Sequence, residues 1–323
     1  MNQTDWLNQL DTWVTMYKEH AMQGTIASYI PALQNVQKAA LGISIRSTDG
    51  TIAKVGDWDT MFTMQSVSKV VNFIAACETR GISEVLEKVD LEPTGDSFDS
   101  MIRLEMHKPG KPFNPMINAG AITVASMLPG NTDQDKFRIF MTMLERLMGR
   151  IATINHEVYD SEWSTAHRNR SIAHYLKGSG FLESEVESTL EVYIKECSVE
   201  VNTQDLASIG MILANDGVDP LTGATVISKQ TAKITKSLML TCGMYNASGR
   251  IAAFVGIPSK SGVSGAILSA APKRTGTTNP LFLGGCGIGI YGPEIDVYGN
   301  SVAGVALLQH ISEAWDLNVF LNS

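Results

Sequence analysis

Positive charge is the first scarcity in this 323-residue chain: 25 Lys and Arg stand against 33 Asp and Glu, a formal charge of −8. No basic stripe is available to neutralise phosphates, which argues against nucleic acid and against an anionic membrane surface as partners. Cysteine is scarce as well. Cys77, Cys197, Cys242 and Cys286 stand singly, with no CxxC pair, so neither a disulfide framework nor a zinc knuckle is expected. His156, His167 and His174 are spaced by 11 and 7 residues, which matches no common zinc motif, and no metal is expected. No stretch of about 18 apolar residues is present, so no membrane span is expected. The opening residues MNQTDWLNQL lack a basic segment followed by an apolar one; a secretory signal is not expected, and the expected location is the cytoplasm. There is no low-complexity tract and no repeat with a period of about 20–50 residues. Gly284-Gly-Cys-Gly287 follows no nucleotide-binding pattern and reads as a tight strand approach.

What is present is an ordinary globular composition, 44% hydrophobic and 18% charged, in a chain long enough to bury a sizeable core without staples. The 15 methionines read as core filler. Residues 5–17 read as an amphipathic helix. Alternating runs at 41–46 and 51–55 bracket Asp49-Gly50 and predict a β-hairpin. From Ser66 to about Lys236 the texture is helical, with helices predicted over 66–77, 137–148 and 203–214, the last capped by Thr203. Residues 91–118 read as irregular. Beyond Gly249, residues 251–257, 264–269 and 287–291 read as short strands, and 301–315 as a closing helix capped by Asn300 or Ser301. This order predicts an α/β (α+β) fold. Residues 1–65 and 240–323 build one antiparallel sheet from both chain ends with flanking helices, and residues 66–239 form an inserted helical subdomain of the same single domain. A pocket is expected between the two layers.

Two short motifs carry chemistry. Ser66-Val-Ser-Lys69 places a hydroxyl and an amine one helical turn apart. Serine is a poor nucleophile until a base takes its proton, and lysine serves as a base only when desolvation or nearby positive charge keeps it neutral. A helix N-terminus adds N–H groups for a developing oxyanion. Lys260-Ser-Gly-Val263 sits just after one predicted strand and opens the next, where it can line such a site and aim a second N–H at the oxyanion. Taken separately, the first motif reads equally as an ordinary helix start and the second as a polar turn.

The resemblance extends further. Ser66-Val-Ser-Lys-Val resembles the S-[IV]-S-K-V segment of the bacterial serine-dependent glutaminases, and Asn114-Pro-Met-Ile-Asn118-Ala-Gly-Ala resembles their N-P-x-I-N-A-G-A. Glu162 and Asn169 resemble their E-x6-N pair, Tyr193 and Cys197 their Y-x3-C, Gly243-Met-Tyr245 their G-M-Y segment, and Lys260-Ser-Gly-Val263 closes the set. The match runs in order along essentially the whole chain.

This resemblance implies the β-lactamase/penicillin-binding-protein type of fold and hydrolysis of L-glutamine to L-glutamate and ammonia, without metal or organic cofactor. It implies Ser66 as nucleophile, Lys69 as its base and Tyr193 as a proton-transfer partner. The N–H groups of Ser66 and Val263 would form the oxyanion hole. Asn118, Glu162, Asn169 and Tyr245 would hold the amino-acid end of glutamine, Glu162 facing its α-ammonium. A homo-oligomer, a tetramer or dimer, is also implied. Alone, Tyr193 reads as core packing, Asn118 as a helix cap, Glu162 and Asn169 as surface residues and Tyr245 as a turn aromatic. The chain departs from the family at Ala266, Asp99, Asn246 and Arg250, which bears on affinity and pH dependence and replaces no catalytic group. Two rival readings remain: another serine hydrolase on the same fold, such as a β-lactamase or esterase, and a non-enzymatic binding protein. Against the first stands the absence of an S-D-N triplet between the lysine motifs; against the second stands the intact Ser66–Lys69 pair.

Overall fold

Alternating residues on either side of Asp49-Gly50 pair as strands β2 (Gly42–Ser47) and β3 (Ile52–Gly56), with Gly50 at φ +94° in the turn. In this computed structural model, residues 3–106, 110–273 and 284–321 are described. Before the hairpin come helix α1 (Gln3–Lys18) and the short strand β1 (Thr25–Ile26). After it come strand β4 (Phe62–Thr63), a 3-10 turn at Gln65–Val67 and helix α2 (Ser68–Arg80).

The helical stretch continues with α3 (Ile82–Lys88), α4 (Ile102–Met106), α5 (Asn118–Met127) and α6 (Asp133–Met148). Then follow α7 (His156–Thr165), α8 (His167–Gly178) and α9 (Val186–Cys197). Strand β5 (Glu200–Val201) pairs with β4 ahead of α10 (Thr203–Ala214), α11 (Lys229–Cys242) and α12 (Ser248–Phe254). The chain ends with strands β6 (Ser259–Ser261), β7 (Ala266–Ala271), β8 (Cys286–Tyr291) and β9 (Glu294–Ile295), and helix α13 (Val302–Ala314). Ser301 caps α13 by accepting from the Gly304 N–H.

The main sheet has the order β3-β2-β8-β7-β6, antiparallel throughout, and so joins both chain ends as the strand order predicts. Side chains alternate across it. Ile43, Ile45, Ile267, Ile288 and Ile290 share one core with Trp6, Leu10, Leu307 and Ile311 of α1 and α13. Leu268, Ala270 and Tyr291 join the core containing Leu206 and Ile209 of α10. On this second face β8 carries Gly287 and Gly289. A Cβ at either position would stand 1.9 Å from a carbonyl oxygen of α10, that of Ala207 or Thr203. Of the glycines read as a tight approach at 284–287, Gly287 is the one that seats α10 on the sheet, while Gly284 and Gly285 lie against Thr48 and the 271–273 backbone.

Four local expectations are corrected. Residues 251–257 are not a strand: Ile251 and Val255 are buried four residues apart while Ala253 and Phe254 are exposed, which is helical spacing, and α12 forms there. Lys260 and Ser261 do not follow and precede strands; they lie within edge strand β6. The cap of α10 is Asn202, in a capping box with Asp205, because the Thr203 hydroxyl donates to the Trp58 carbonyl at 2.8 Å instead. The irregular stretch at 91–118 contains α4. No described helix is long and apolar enough to cross a membrane.

Candidate active site

Ser66 sits in the turn that carries the chain from β4 into α2. Gln65 before it has φ +46°, a left-handed conformation that costs a non-glycine residue about 1–2 kcal/mol. The turn is held by Val67 N–H donating to Met64 O at 3.0 Å and Met64 N–H donating to Val199 O at 2.8 Å. Ser66 is 9% exposed. Helix α2 starts two residues later, so its unpaired N–H groups and the positive end of its dipole lie at this turn.

Lys69, the second residue of α2, is 1% exposed and forms no ion pair among the described residues. Burial lowers its amine to about 8, with Cys197, Glu162 and Asp99 opposing the fall. Its Nζ donates to Asn118 Oδ1 at 2.6 Å. That oxygen also accepts from Tyr193 Oη at 3.3 Å, and Asn118 Nδ2 donates to Asn169 Oδ1 at 2.9 Å. A lysine ammonium has donors only, so the amide oxygen faces it in that form, and the rest of the network follows from that orientation. Asn118 is the first residue of α5 and caps nothing; Ile117 holds the cap position. Burial raises the Tyr193 phenol well above its ordinary range.

Glu162, 7% exposed on α7, accepts from Gln65 Nε2 at 3.3 Å. Burial pushes its carboxyl up to about 7, opposed by Gln65 and Lys69. A cleft of about 310 Å³ is lined by Tyr29, Ile30, Phe98, Asn118, Glu162 and Asn169 among others. Arg168 at its rim donates to the Asp99 carbonyl at 2.9 Å. This cleft combines an anionic group with amide donors and acceptors, a composition suited to a zwitterionic ligand.

Tyr245 stands apart from the Glu162 side. It has φ +51°, packs on Phe98 with ring centroids 5.2 Å apart and lines a neighbouring cavity of about 350 Å³. Burial raises its phenol. The Ser66 hydroxyl is near enough to oppose that rise, although the pair does not complete a hydrogen bond. Val263 follows β6, and its N–H donates to no acceptor among the described residues. Gly262 before it lets the strand end press on the Ser66 turn: a Cβ there would lie 2.8 Å from Met64 O and 3.3 Å from Val67 Cγ2.

Thus Ser66, Lys69, Asn118, Asn169, Tyr193, Glu162, Tyr245 and Val263 all fall around one turn and the walls beside it, drawn from α2, α5, α7, α8, α9, the 3-10 turn at Tyr245–Ala247 and the end of β6. The sequence reading missed Gln65 and Phe98. Adjacency to Ser66 was the sole signal for the first, and nothing in the irregular 91–118 stretch marked the second. No group of three or more His, Cys, Asp or Glu is placed to hold a metal among the described residues.

Comparison with known proteins fits this geometry. The glutaminase family model matches residues 24–320. Glutaminase 2 of Bacillus cereus is 58% identical over 311 residues, which cover 96% of this chain and 95% of that one. The crystal structure of a probable glutaminase of Bacillus subtilis superposes with a TM-score of 0.92 at 53% identity, covering 98% of both chains. A further structure, at TM-score 0.88 and 52% identity over 97% of this chain and 99% of that one, is a Bacillus subtilis glutaminase covalently joined to 5-oxo-L-norleucine after reaction with 6-diazo-5-oxo-L-norleucine. The chain belongs to the glutaminase family.

Proposed function

We propose that this protein hydrolyses L-glutamine to L-glutamate and ammonia through an acyl-enzyme on Ser66. The observation that carries the reading is Lys69: a buried amine without a carboxylate partner among the described residues, drawn down to about 8 and three residues after Ser66, whose turn opens on the left-handed Gln65. A lysine in that state accepts a proton near neutral pH, which an ion-paired one does not.

Lys69 takes the Ser66 proton as Oγ attacks the side-chain amide carbon. The N–H groups of Ser66 and Val263 receive the oxyanion; that the Val263 N–H donates to no acceptor among the described residues supports that assignment. Tyr193, held with Lys69 on the same Asn118 Oδ1, gives its phenol proton to the departing nitrogen and takes back the proton that the Lys69 ammonium received from Ser66. The C–N bond breaks, ammonia leaves, and water cleaves the ester to release glutamate and restore the hydroxyl. Glu162 faces the substrate's α-ammonium, and Asn118 and Asn169 take its α-carboxylate end. Tyr245 was assigned with them from the resemblance; its place beside Ser66 supports a role nearer the scissile amide.

The similar enzyme carrying a covalent glutamine-analogue adduct supports both substrate and covalent course. We further infer one catalytic unit in which residues 66–239 are inserted between the sheet-forming ends 1–65 and 240–323. It works as a homo-oligomer, a tetramer or dimer, in the cytoplasm.

The experiment is ammonia release from L-glutamine by wild type and Ser66→Ala, with L-asparagine, D-glutamine and nitrocefin in parallel. Wild type is expected to turn over L-glutamine, with the variant down by about 10³-fold or more. Nitrocefin turnover with inert glutamine would transfer the site to another serine hydrolase class.

A further inference from the structure

Lys260 is the second fully buried lysine at this site. It is 0% exposed and forms no ion pair among the described residues. Its Nζ donates to the carbonyl of the adjacent Ser261 at 2.5 Å and lies 4.6 Å from the centroid of the Tyr245 ring. Burying an amine without a counter-charge is unfavourable, and methionine would pack the same stem without that penalty. Lys260 therefore needs a reason beyond filling space. The reason available is the ring it covers, whose electron-rich face attracts an N–H donor.

Tyr245 is a residue that needs holding. Its φ of +51° is costly for a side-chain-bearing residue and persists only where the surroundings over-determine it. Three neighbours do so. Phe98 packs against the ring. Gly299 is so close that a Cβ there would be 3.2 Å from Tyr245 Cε2. Lys260 supplies the third contact. Strand β6, which carries Lys260, is tied to the turn before Tyr245: Ser261 N–H donates to Gly243 O at 3.1 Å, and Gly243 leaves room for Ser259 O, which a Cβ would meet at 1.8 Å. The Tyr245 hydroxyl itself is buried, without a completed hydrogen bond, on the side where Ser66 lies.

We propose that Lys260 is a positioning residue: its Nζ, seated on the Tyr245 ring, sets where the Tyr245 hydroxyl stands relative to Ser66. The inference rests on the glutaminase reading above and deepens it. Lys260 touches no reacting atom; it acts through Tyr245.

The test is a double-mutant cycle on the full-length protein with L-glutamine as substrate: wild type, Lys260→Met, Tyr245→Phe and the pair. Lys260→Met is expected to lower kcat by about tenfold or more while KM changes by less than about threefold. In the Tyr245→Phe background, where no hydroxyl remains to be placed, the same substitution is expected to change kcat by less than about twofold. Equal losses in both backgrounds, or a wild-type kcat in Lys260→Met, would overturn the proposal. Should Lys260→Met not fold, Lys260→Gln runs the same cycle. A crystal structure of the Lys260 variant gives a readout that needs no turnover: the Tyr245 ring is expected to leave its place beside Ser66, and an unmoved ring overturns the inference. Wild type inert toward glutamine would instead sink the glutaminase reading, so the two failures are distinct.

Discussion

Asn118 Oδ1 and Lys69 Nζ stand 2.6 Å apart, and the same oxygen takes the Tyr193 hydroxyl at 3.3 Å. One amide thus holds both groups assigned to proton transfer. Replacing it tests the link through charge rather than shape. Asn118→Asp would place a carboxylate on the ammonium, favour the protonated lysine and raise its pKa. The acid limb of kcat/KM is then expected to move to higher pH. Asn118→Ala removes the acceptor, disfavours the ammonium and lowers the pKa; its limb moves to lower pH, with kcat/KM at the optimum down by about 10²-fold or more. Limbs that shift the same way in both variants would break the connection between Asn118 and the base.

The wild-type pH profile follows from the same groups. Lys69 works when neutral and sits at about 8; Glu162 binds an ammonium when charged and sits at about 7. Both require loss of a proton, so kcat/KM is expected to rise steeply below about pH 7 and more gently from there to about pH 8. A profile that is flat between pH 6 and 8, or falls across it, would remove Lys69 from the role of base. Measurement of log kcat/KM at constant ionic strength decides it.

Glu162 also predicts a trade between stability and binding. Its carboxyl is raised from 4.5 in the free state to about 7 in the fold. A group raised in this way penalises folding as pH climbs: the penalty is absent below about pH 4.5, grows between the two values and is full above about pH 7. Glu162→Gln removes the charge and keeps the shape. The unliganded variant is expected to gain stability on the order of 3 kcal/mol at pH 8, and almost none at pH 4.5. KM for glutamine is expected to rise by about 10²-fold or more, since the α-ammonium loses its buried partner. Urea unfolding at the two pH values, with kinetics at the higher, checks both halves. A variant that is less stable at pH 8 would show that the carboxylate is well compensated in the free enzyme.

The hairpin, the closing helix and the joining of both ends into one sheet were legible because their signals are local: Asp49-Gly50, the Ser301 cap and alternating residues at 41–46 and 287–291. Residues 251–257 misread because a short apolar run carries both periods, and only burial of Ile251 and Val255 separates them. Ser66 and Lys69 were visible as a pair three residues apart, although Ser66 stands in the 3-10 turn just before α2 and not on the helix itself. The junction at Asn118 was not, since it joins side chains 49, 75 and 51 residues away in sequence. Lys260 was legible as part of a motif, but its burial against Tyr245 depends on two turns meeting at β6.

The glycines of β8 give a last expectation, about how α10 sits on the sheet. Helix α10 rests on Gly287 so closely that a Cβ would meet Ala207 O at 1.9 Å and Met211 N at 2.2 Å, both backbone atoms that no rotamer change can move. Gly287→Ala must push α10 off the sheet, and is expected to lower stability by about 2–3 kcal/mol, as overpacking of a rigid contact does. Gly249 provides the contrast. It lies in α12, and a Cβ there meets nothing within 4 Å. Gly249→Ala gains helix propensity and is expected to stabilise by about 0.5–1 kcal/mol. Urea midpoints compared at a common slope read both. If the two substitutions shift the midpoint equally, close seating of α10 is not what Gly287 provides. If they diverge in sign, the glycine at β8 is there for backbone contact and the one in α12 is replaceable.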